Sequence, residues 1–212
     1  MNSLKTVLNT VKEELLQKDS VREAAQEGML KAMSLSKQAI LRVHQKKLEE
    51  AKTLLKSAVE AIARLQGLAN SHPEIIYGGM FSAALQEYAE ANIFLRLIEE
   101  SRFVTPQEIN VPAVDYVLGL ADTIGEYRRV VLDALREGNV EKGEKCLELM
   151  DEIYVELMGM DEVYVLVPGL RRKCDVARKI IEATRGDITQ EVRRKSLEDY
   201  LKRFEQPHPG ER

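Results

Sequence analysis

Tryptophan is absent from the 212 residues, and aromatic side chains make up only 5% of them. That excludes an extended platform on which nucleic-acid bases could stack. Histidine is almost as scarce. His44, His72 and His208 are the only three, and none lies three residues after a candidate glutamate of the site, which disfavours a di-iron bundle with its Glu-x-x-His pairs. The same scarcity removes Ser-His and Cys-His nucleophilic triads. The two cysteines, Cys146 and Cys174, lack CxxC spacing, which argues against a disulfide framework and fits a reducing cytoplasm. No apolar run approaches 18 residues, so no membrane span is expected. The N-terminal "MNSLKTVLNTVKEELLQ" has acids where a signal peptide would have its apolar core. Neither GxxxxGK[ST] nor GxGxxG occurs, which leaves no phosphate loop. Finally, there is no excess of positive charge. The net charge is −4, which rules out a generally basic nucleic-acid surface while leaving local basic patches open.

What the chain does have is helical periodicity. At 44% hydrophobic and 31% charged residues it can bury a core, and its length suits one domain, taken as residues 1–204 with a disordered tail at 205–212. Val7, Val11, Leu15 and Leu16 open an amphipathic run that continues to Val43, with Asp19-Ser20 as a candidate cap of a second segment. Leu48 to Leu65 carries a second stripe. "NSHPEIIYGG" (70–79) is the clearest break, and a third helix follows to about residue 101. A linker at 104–112 precedes a helix over 112–136, with Pro112 in its first turn and Gly138 as its stop. Asn139 caps the next, over 140–159. "GMDEVYVLVPG" (159–169) reads as a connector. Helices at about 169–185 and 189–204 follow, parted by Gly186-Asp187. The pattern predicts an all-α antiparallel bundle of about seven helices.

One residue conflicts with this simple pattern. Glu87, in "LQEYAEA", sits in the middle of an apolar stripe formed by Met80, Ala83, Ala84, Ala91, Phe94 and Ile98. An ionised carboxylate buried without a partner costs several kcal/mol. Either the stripe is open there or something cationic meets the acid. Glu90 lies at the edge of the same stripe. On the following long helix, in "GLADTIGEYRR", Asp122 and Glu126 are one turn apart and share a face, with Asp115, Arg129 and Asp133 on the same stripe. Such a stripe is usually just a solvated face. Two helix-interior glycines, Gly119 and Gly125, argue for something more: each costs about 1 kcal/mol relative to Ala, a cost that makes sense if another helix or a substrate approaches closely. If the two helices pack antiparallel with their acids facing, the four carboxylates either raise one another's pKa values or supply oxygen ligands to Mg²⁺ or Mn²⁺. Basic residues cluster at Arg128-Arg129, Arg171-Arg172-Lys173 and Arg193-Arg194-Lys195. Arg128 and Arg129 follow Glu126 directly and are the best placed to hold a phosphate.

The stretches "VREAAQEGMLKAMSLSKQAILRVHQ", "LQEYAEANIFLRLIE", "VPAVDYVLGLADTIGEYRR" and "GLRRKCDVARKIIE" resemble the translin superfamily, in that order and over roughly residues 20–185. The chain looks closer to the translin-associated factor X (TRAX) branch than to translin itself, because Asp122 supplies an acid that translin lacks. The resemblance implies seven helices assembled into a hollow octamer. It also implies a Mg²⁺-dependent endoribonuclease acting on single-stranded RNA or single-stranded parts of structured RNA, with its metal-binding catalytic acids at Glu87, Glu90, Asp122 and Glu126. RNA contacts are then expected from Arg128, Arg129, Arg171, Arg172 and Lys173. "IIYGGMFSA" has no basic residue where translin has a basic stretch, so translin-type RNA contacts are not expected there. The chain also lacks the long insertion of larger members. It therefore reads as a compact single-subunit version of the kind found in archaea, forming a homo-oligomer without a translin partner. Two other functions compete: a non-catalytic oligomer that binds RNA or single-stranded DNA, and an all-α nucleotide pyrophosphatase with paired acids on bundle helices. Mg²⁺-dependent cleavage of RNA or of nucleotides separates the three.

Overall fold

In a computed structural model the described residues are 3–205, and they form seven α-helices and no strand. The helices are α1 (Leu4–His44), α2 (Leu48–Ala69), α3 (Pro73–Ile76), α4 (Gly79–Glu100), α5 (Ala113–Arg136), α6 (Val140–Met158) and α7 (Leu170–Glu205), with one 3₁₀ turn at Asp161–Val163. The all-helical class is as expected. The residues of the tail beyond 205 lie outside the described part of the chain. None of the described helices is long and apolar enough to cross a membrane. The chain divides into two compact units, Met1–Gly119 and Leu120–Arg212.

In the first unit α1 and α2 form a hairpin, turned by Lys46 with φ of 60°. Gly28 packs on Leu65, and Arg42 pairs with Glu50 nearer the turn, so the two run antiparallel. Helix α4 lies alongside both. Lys37 meets Glu87 and His44 meets Phe94, each pair separated by the same stretch of sequence. Constant separation means that α1 and α4 run in the same direction, with α2 opposed to both. The apolar stripes of all three supply the core, including Ala32, Ala39, Leu55, Ile62, Leu65, Ile93 and Phe94. The first four turns of α1 extend past this core. Leu4, Leu8, Val11 and Leu15 are exposed there.

The start of α5 also belongs to this unit, and here the expected antiparallel arrangement is corrected. Asp115 bonds to Ser82, and Gly119 sits against Gln86, Ala89 and Glu90. Both numbers rise together, so the first turns of α5 run in the same direction as α4. The reason is the connector. Helix α4 is about 33 Å long, and residues 101–112, if extended, reach about 40 Å, enough to bring the chain back before α5 begins. Tyr116 anchors that connector by donating its hydroxyl to the Val104 carbonyl at 2.5 Å.

In the second unit α5 ends in a Schellman turn. Gly138 has φ of 74°, and Asn139 donates to the Ala134 carbonyl at 2.9 Å. Asn139 then caps α6 by accepting from the Lys142 amide at 3.0 Å. Gly143 packs against Leu135, Val131 and Ile188. Asp151 pairs with Arg185, which sets α7 antiparallel to α6.

Two expected breaks are absent. Asp19-Ser20 lies inside α1 and caps nothing. Gly186-Asp187 lies inside α7. Thr184 and Ile188, one turn apart on either side of it, are both buried, so the apolar stripe runs through the glycine and holds the helix together. The connector expected at 159–169 has no strand, only the 3₁₀ turn.

Candidate functional site

The structure answers the question raised by Glu87. The Lys37 ammonium of α1 lies 3.3 Å from its carboxylate, and the Glu87 side chain is 24% exposed. Both possibilities apply in part. Met80 and Ile98, at the ends of the stripe, are exposed, while Ala84, Ala91 and Phe94 are buried. Glu90 is almost wholly buried, at 8% exposure. Its backbone nitrogen would lie 2.9 Å from a Cβ added to Gly119. Gly119 therefore has the close approach its position predicts. Gly125 does not, because a Cβ there meets nothing within 4 Å.

The second unit repeats the arrangement. Asp122 and Glu126 are partly buried on α5. The Lys173 ammonium of α7 donates to the Asp122 carboxylate, and the Lys173 side chain is only 19% exposed. In each unit a lysine from a neighbouring helix sits on the first acid of the pair. No sequence motif announces Lys37, because its link to Glu87 exists only through packing.

The rest of the α5 stripe is not a uniform solvated face. Asp115 is buried at 6% exposure, accepting from the Ser82 hydroxyl and, at 3.4 Å, from the Gln86 amide. Asp133 pairs with Arg136 at 3.1 Å.

Among the expected RNA-binding residues, Arg128 is tied down. It donates to the Thr184 hydroxyl at 2.8 Å and to the Asp187 carboxylate at 2.9 Å. This bracing of α5 on α7 was not legible in the sequence. Arg129, Arg171 and Arg172 are exposed. Lys173, grouped with the last two in sequence, points instead at Asp122.

The donor chemistry fits a hard divalent cation. Each pair offers two carboxylates within one turn of helix, with neither thiol nor imidazole in the set. Among the described residues, no three His, Cys, Asp or Glu side chains are gathered closely enough to hold a metal ion. Both cysteines are free and buried, and burial raises both thiol pKa values.

Seven helices with paired acids on α4 and on α5, and no strand among the described residues, make this an all-α helical protein. The model of the Translin family matches residues 19–183, and the chain belongs to that family. An uncharacterized protein of Methanocaldococcus jannaschii is 34% identical over 200 residues, which cover 93% of this chain and 88% of that one. The crystal structure of AfC3PO is similar with a TM-score of 0.76 and 32% identity, over 87% of this chain and 96% of that chain. AfC3PO in complex with duplex RNA matches with a TM-score of 0.75, also at 32% identity, over 87% of this chain and 95% of that chain. The fold is shared with apo-NeC3PO as well, at a TM-score of 0.79 and 23% identity over 90% and 100% of the two chains.

Proposed function

We propose that this protein binds RNA and cleaves it as a divalent-metal-dependent endoribonuclease. The observation that carries the reading is the likeness, at 32% identity over most of both chains, to AfC3PO in complex with duplex RNA. Single-stranded RNA, or single-stranded parts of a duplex substrate, is the substrate class. Glu87 and Glu90 on α4 and Asp122 and Glu126 on α5 are the carboxylates that would hold Mg²⁺ or Mn²⁺. When bound, such a cation would supply Lewis-acid polarisation of the scissile phosphate and a lowered pKa for its water. The chain's own contribution is to fix the acids on helices: Gly119 keeps α5 close beside Glu90, and Arg129 offers a guanidinium to a neighbouring phosphate. The compact chain is read as a single-subunit member closest to the TRAX branch, working in the cytoplasm as a homo-octamer with closed symmetry.

The lysines on Glu87 and Asp122 favour a second reading, an RNA-binding oligomer whose acids are structural. One experiment separates the two. Labelled single-stranded RNA is incubated with the protein in Mg²⁺ or in chelator. Mg²⁺-dependent cleavage that is lost in Glu87→Gln and Asp122→Asn supports the nuclease. Binding without cleavage in either buffer leaves the binding oligomer. Light scattering in the same buffers measures the assembly, and a monomer at micromolar concentration contradicts the octamer.

A further inference from the structure

The second unit leaves apolar side chains uncovered at both ends of its α6–α7 pair. At one end Val155 and Met158 lie in the last turns of α6, and Val165 and Leu166 in the connector after it. All four are exposed, Val165 by 91%. Tyr164 ties this connector to α6, its hydroxyl 3.5 Å from the Met158 sulfur. At the other end Leu197, Tyr200 and Leu201 are exposed on α7. Helix α7 has 36 residues and α6 only 19. Followed back from Gly143 on Ile188 and from Asp151 on Arg185, the start of α6 comes level with about residues 191–196 of α7, so Leu197 and the turn after it project past α6. At 100° per residue, Leu197 also points directly away from Ile188, where the buried stripe of α7 ends. Apolar groups clustered on a face turned from their own bundle mark an interaction surface.

The two ends carry opposite charge. Residues 147–169 contain no Lys, Arg or His but six acids, Glu148, Asp151, Glu152, Glu156, Asp161 and Glu162. Of these, Asp151 alone is in an ion pair among the described residues. Residues 193–203 carry Arg193, Arg194, Lys195, Lys202 and Arg203 against only Glu198 and Asp199, an excess of three positive charges. We infer that the acidic apolar end of one copy, around Val155, Met158, Val165 and Leu166, docks on the basic apolar end of α7 in a second copy, around Leu197, Tyr200 and Leu201. An RNA strand would use the arginines but leave the leucines uncovered, and the acidic end repels it. A second copy covers both apolar sets and meets each charge with its opposite. Because two different patches of the same chain join, the contact is head-to-tail, and it closes a ring where the rotation allows. The inference rests on the homo-oligomer read above and not on cleavage.

The test is sedimentation velocity of the full chain with the charge of one end reversed at a time. Glu152→Lys with Glu156→Lys makes both ends basic, and Arg193→Glu with Arg203→Glu turns the α7 end acidic. All four residues are exposed, and none is in an ion pair among the described residues, so the fold of a single copy loses no partner. Each double variant alone is expected to fall to about half the wild-type mass or less, because like charges now meet. An equal mixture of the two is expected to regain the wild-type mass, since each variant's altered end matches the other's. Recovery on mixing is something a misfolded protein cannot show. Wild-type mass in both separate variants overturns the contact alone, as does a mixture of two helical variants that stays small. Wild-type protein that is already a monomer overturns the homo-oligomer and the contact with it. An Arg193→Glu/Arg203→Glu protein that keeps its mass but loses affinity for single-stranded RNA assigns the α7 end to RNA and overturns the contact between copies. Should circular dichroism show that a charge variant has lost helix, Val165→Ser with Leu166→Ser reads the same contact from a connector outside the helices, and unchanged mass there overturns it.

Discussion

Gly119 lies so close to α4 that a Cβ on it would come within 2.7 Å of the Gln86 carbonyl oxygen and 2.9 Å of the Glu90 nitrogen. Both obstacles are backbone, which cannot rotate aside. Gly119→Ala is therefore expected to push α5 off α4 and cost about 1–3 kcal/mol, the range for overpacking a tight contact. Gly125 is the control. A Cβ there meets nothing within 4 Å, so Gly125→Ala should stabilise by about 0.5–1 kcal/mol through helix propensity alone. Thermal melts of the two variants should move in opposite directions. A shift of the same sign in both would contradict the packing described.

Replacing a carboxylate should separate activity from stability. Glu87→Gln and Asp122→Asn keep the size of the side chain and a hydrogen-bond acceptor for Lys37 and Lys173. The pairs they weaken are partly exposed and worth little. Both variants should stay within about 0.5 kcal/mol of wild type and lose Mg²⁺-dependent RNA cleavage. Full cleavage by both would remove the acids from the reaction.

Adjacent arginines should behave differently. Arg128 braces α5 against α7 through Thr184 and Asp187. Arg128→Ala is expected to lower stability by about 1–2 kcal/mol, allowing for partial exposure. That corresponds to a fall of a few degrees in Tm. Arg129 is exposed, so Arg129→Ala should leave the melt unchanged and weaken RNA binding by about 1–3 kcal/mol. Its salt dependence should flatten by about one counterion. An unchanged slope would show that Arg129 does not touch RNA.

The connector between α4 and α5 carries a pH-dependent clasp. The Glu108 carboxylate accepts from the Thr105 amide at 2.7 Å, and Arg102 lies 2.9 Å from it. The Thr105 amide is the first cause holding the Glu108 pKa below its usual value, with the Thr105 side chain and Arg102 adding to it. A depressed acid stabilises the fold above the unfolded pKa and loses that contribution as pH falls through the folded one. The clasp should stay closed at neutral pH and open only below the ordinary glutamate range near pH 4.3. A carbon-detected titration of Glu108 with a midpoint at or above that value would refute it.

The two thiols should be quiet. Burial raises the pKa of Cys146 and Cys174, and thiolate is the reactive form. Iodoacetamide at pH 8 should label neither in the native protein and both after denaturation. Rapid native labelling of either would mean that its helix opens.

The helices were legible because their apolar stripes are long and their ends well marked, as at Gly138 and Asn139. The false break at Gly186-Asp187 came from reading a glycine without its neighbours. Thr184 and Ile188 carry the buried stripe across it, and packing overrides one weak propensity. Glu87 and Asp122 stood out because carboxylates on or beside apolar stripes demand a reason. Their lysines did not, since the same residue type on any helix is usually solvated. Helix direction was also hidden. Short connections imply antiparallel neighbours, and only the length of residues 101–112 hinted that α5 starts alongside α4.

Helix α1 has 41 residues, but tertiary packing holds only its later part. The family match begins at residue 19, and full burial begins at Ala25. Before that point the helix rests on its own hydrogen bonds and its Ser3 cap, which is marginal support for an isolated helical segment of that length. One continuous helix thus spans two regimes of hydrogen exchange. Amides before about residue 18 open by fraying, on the microsecond scale of helix–coil relaxation. Those from Ala25 onward open only when the first unit unfolds. The step between the two rates falls inside a single unbroken helix, and a second molecule seated on Leu4, Leu8, Val11 and Leu15 would erase it.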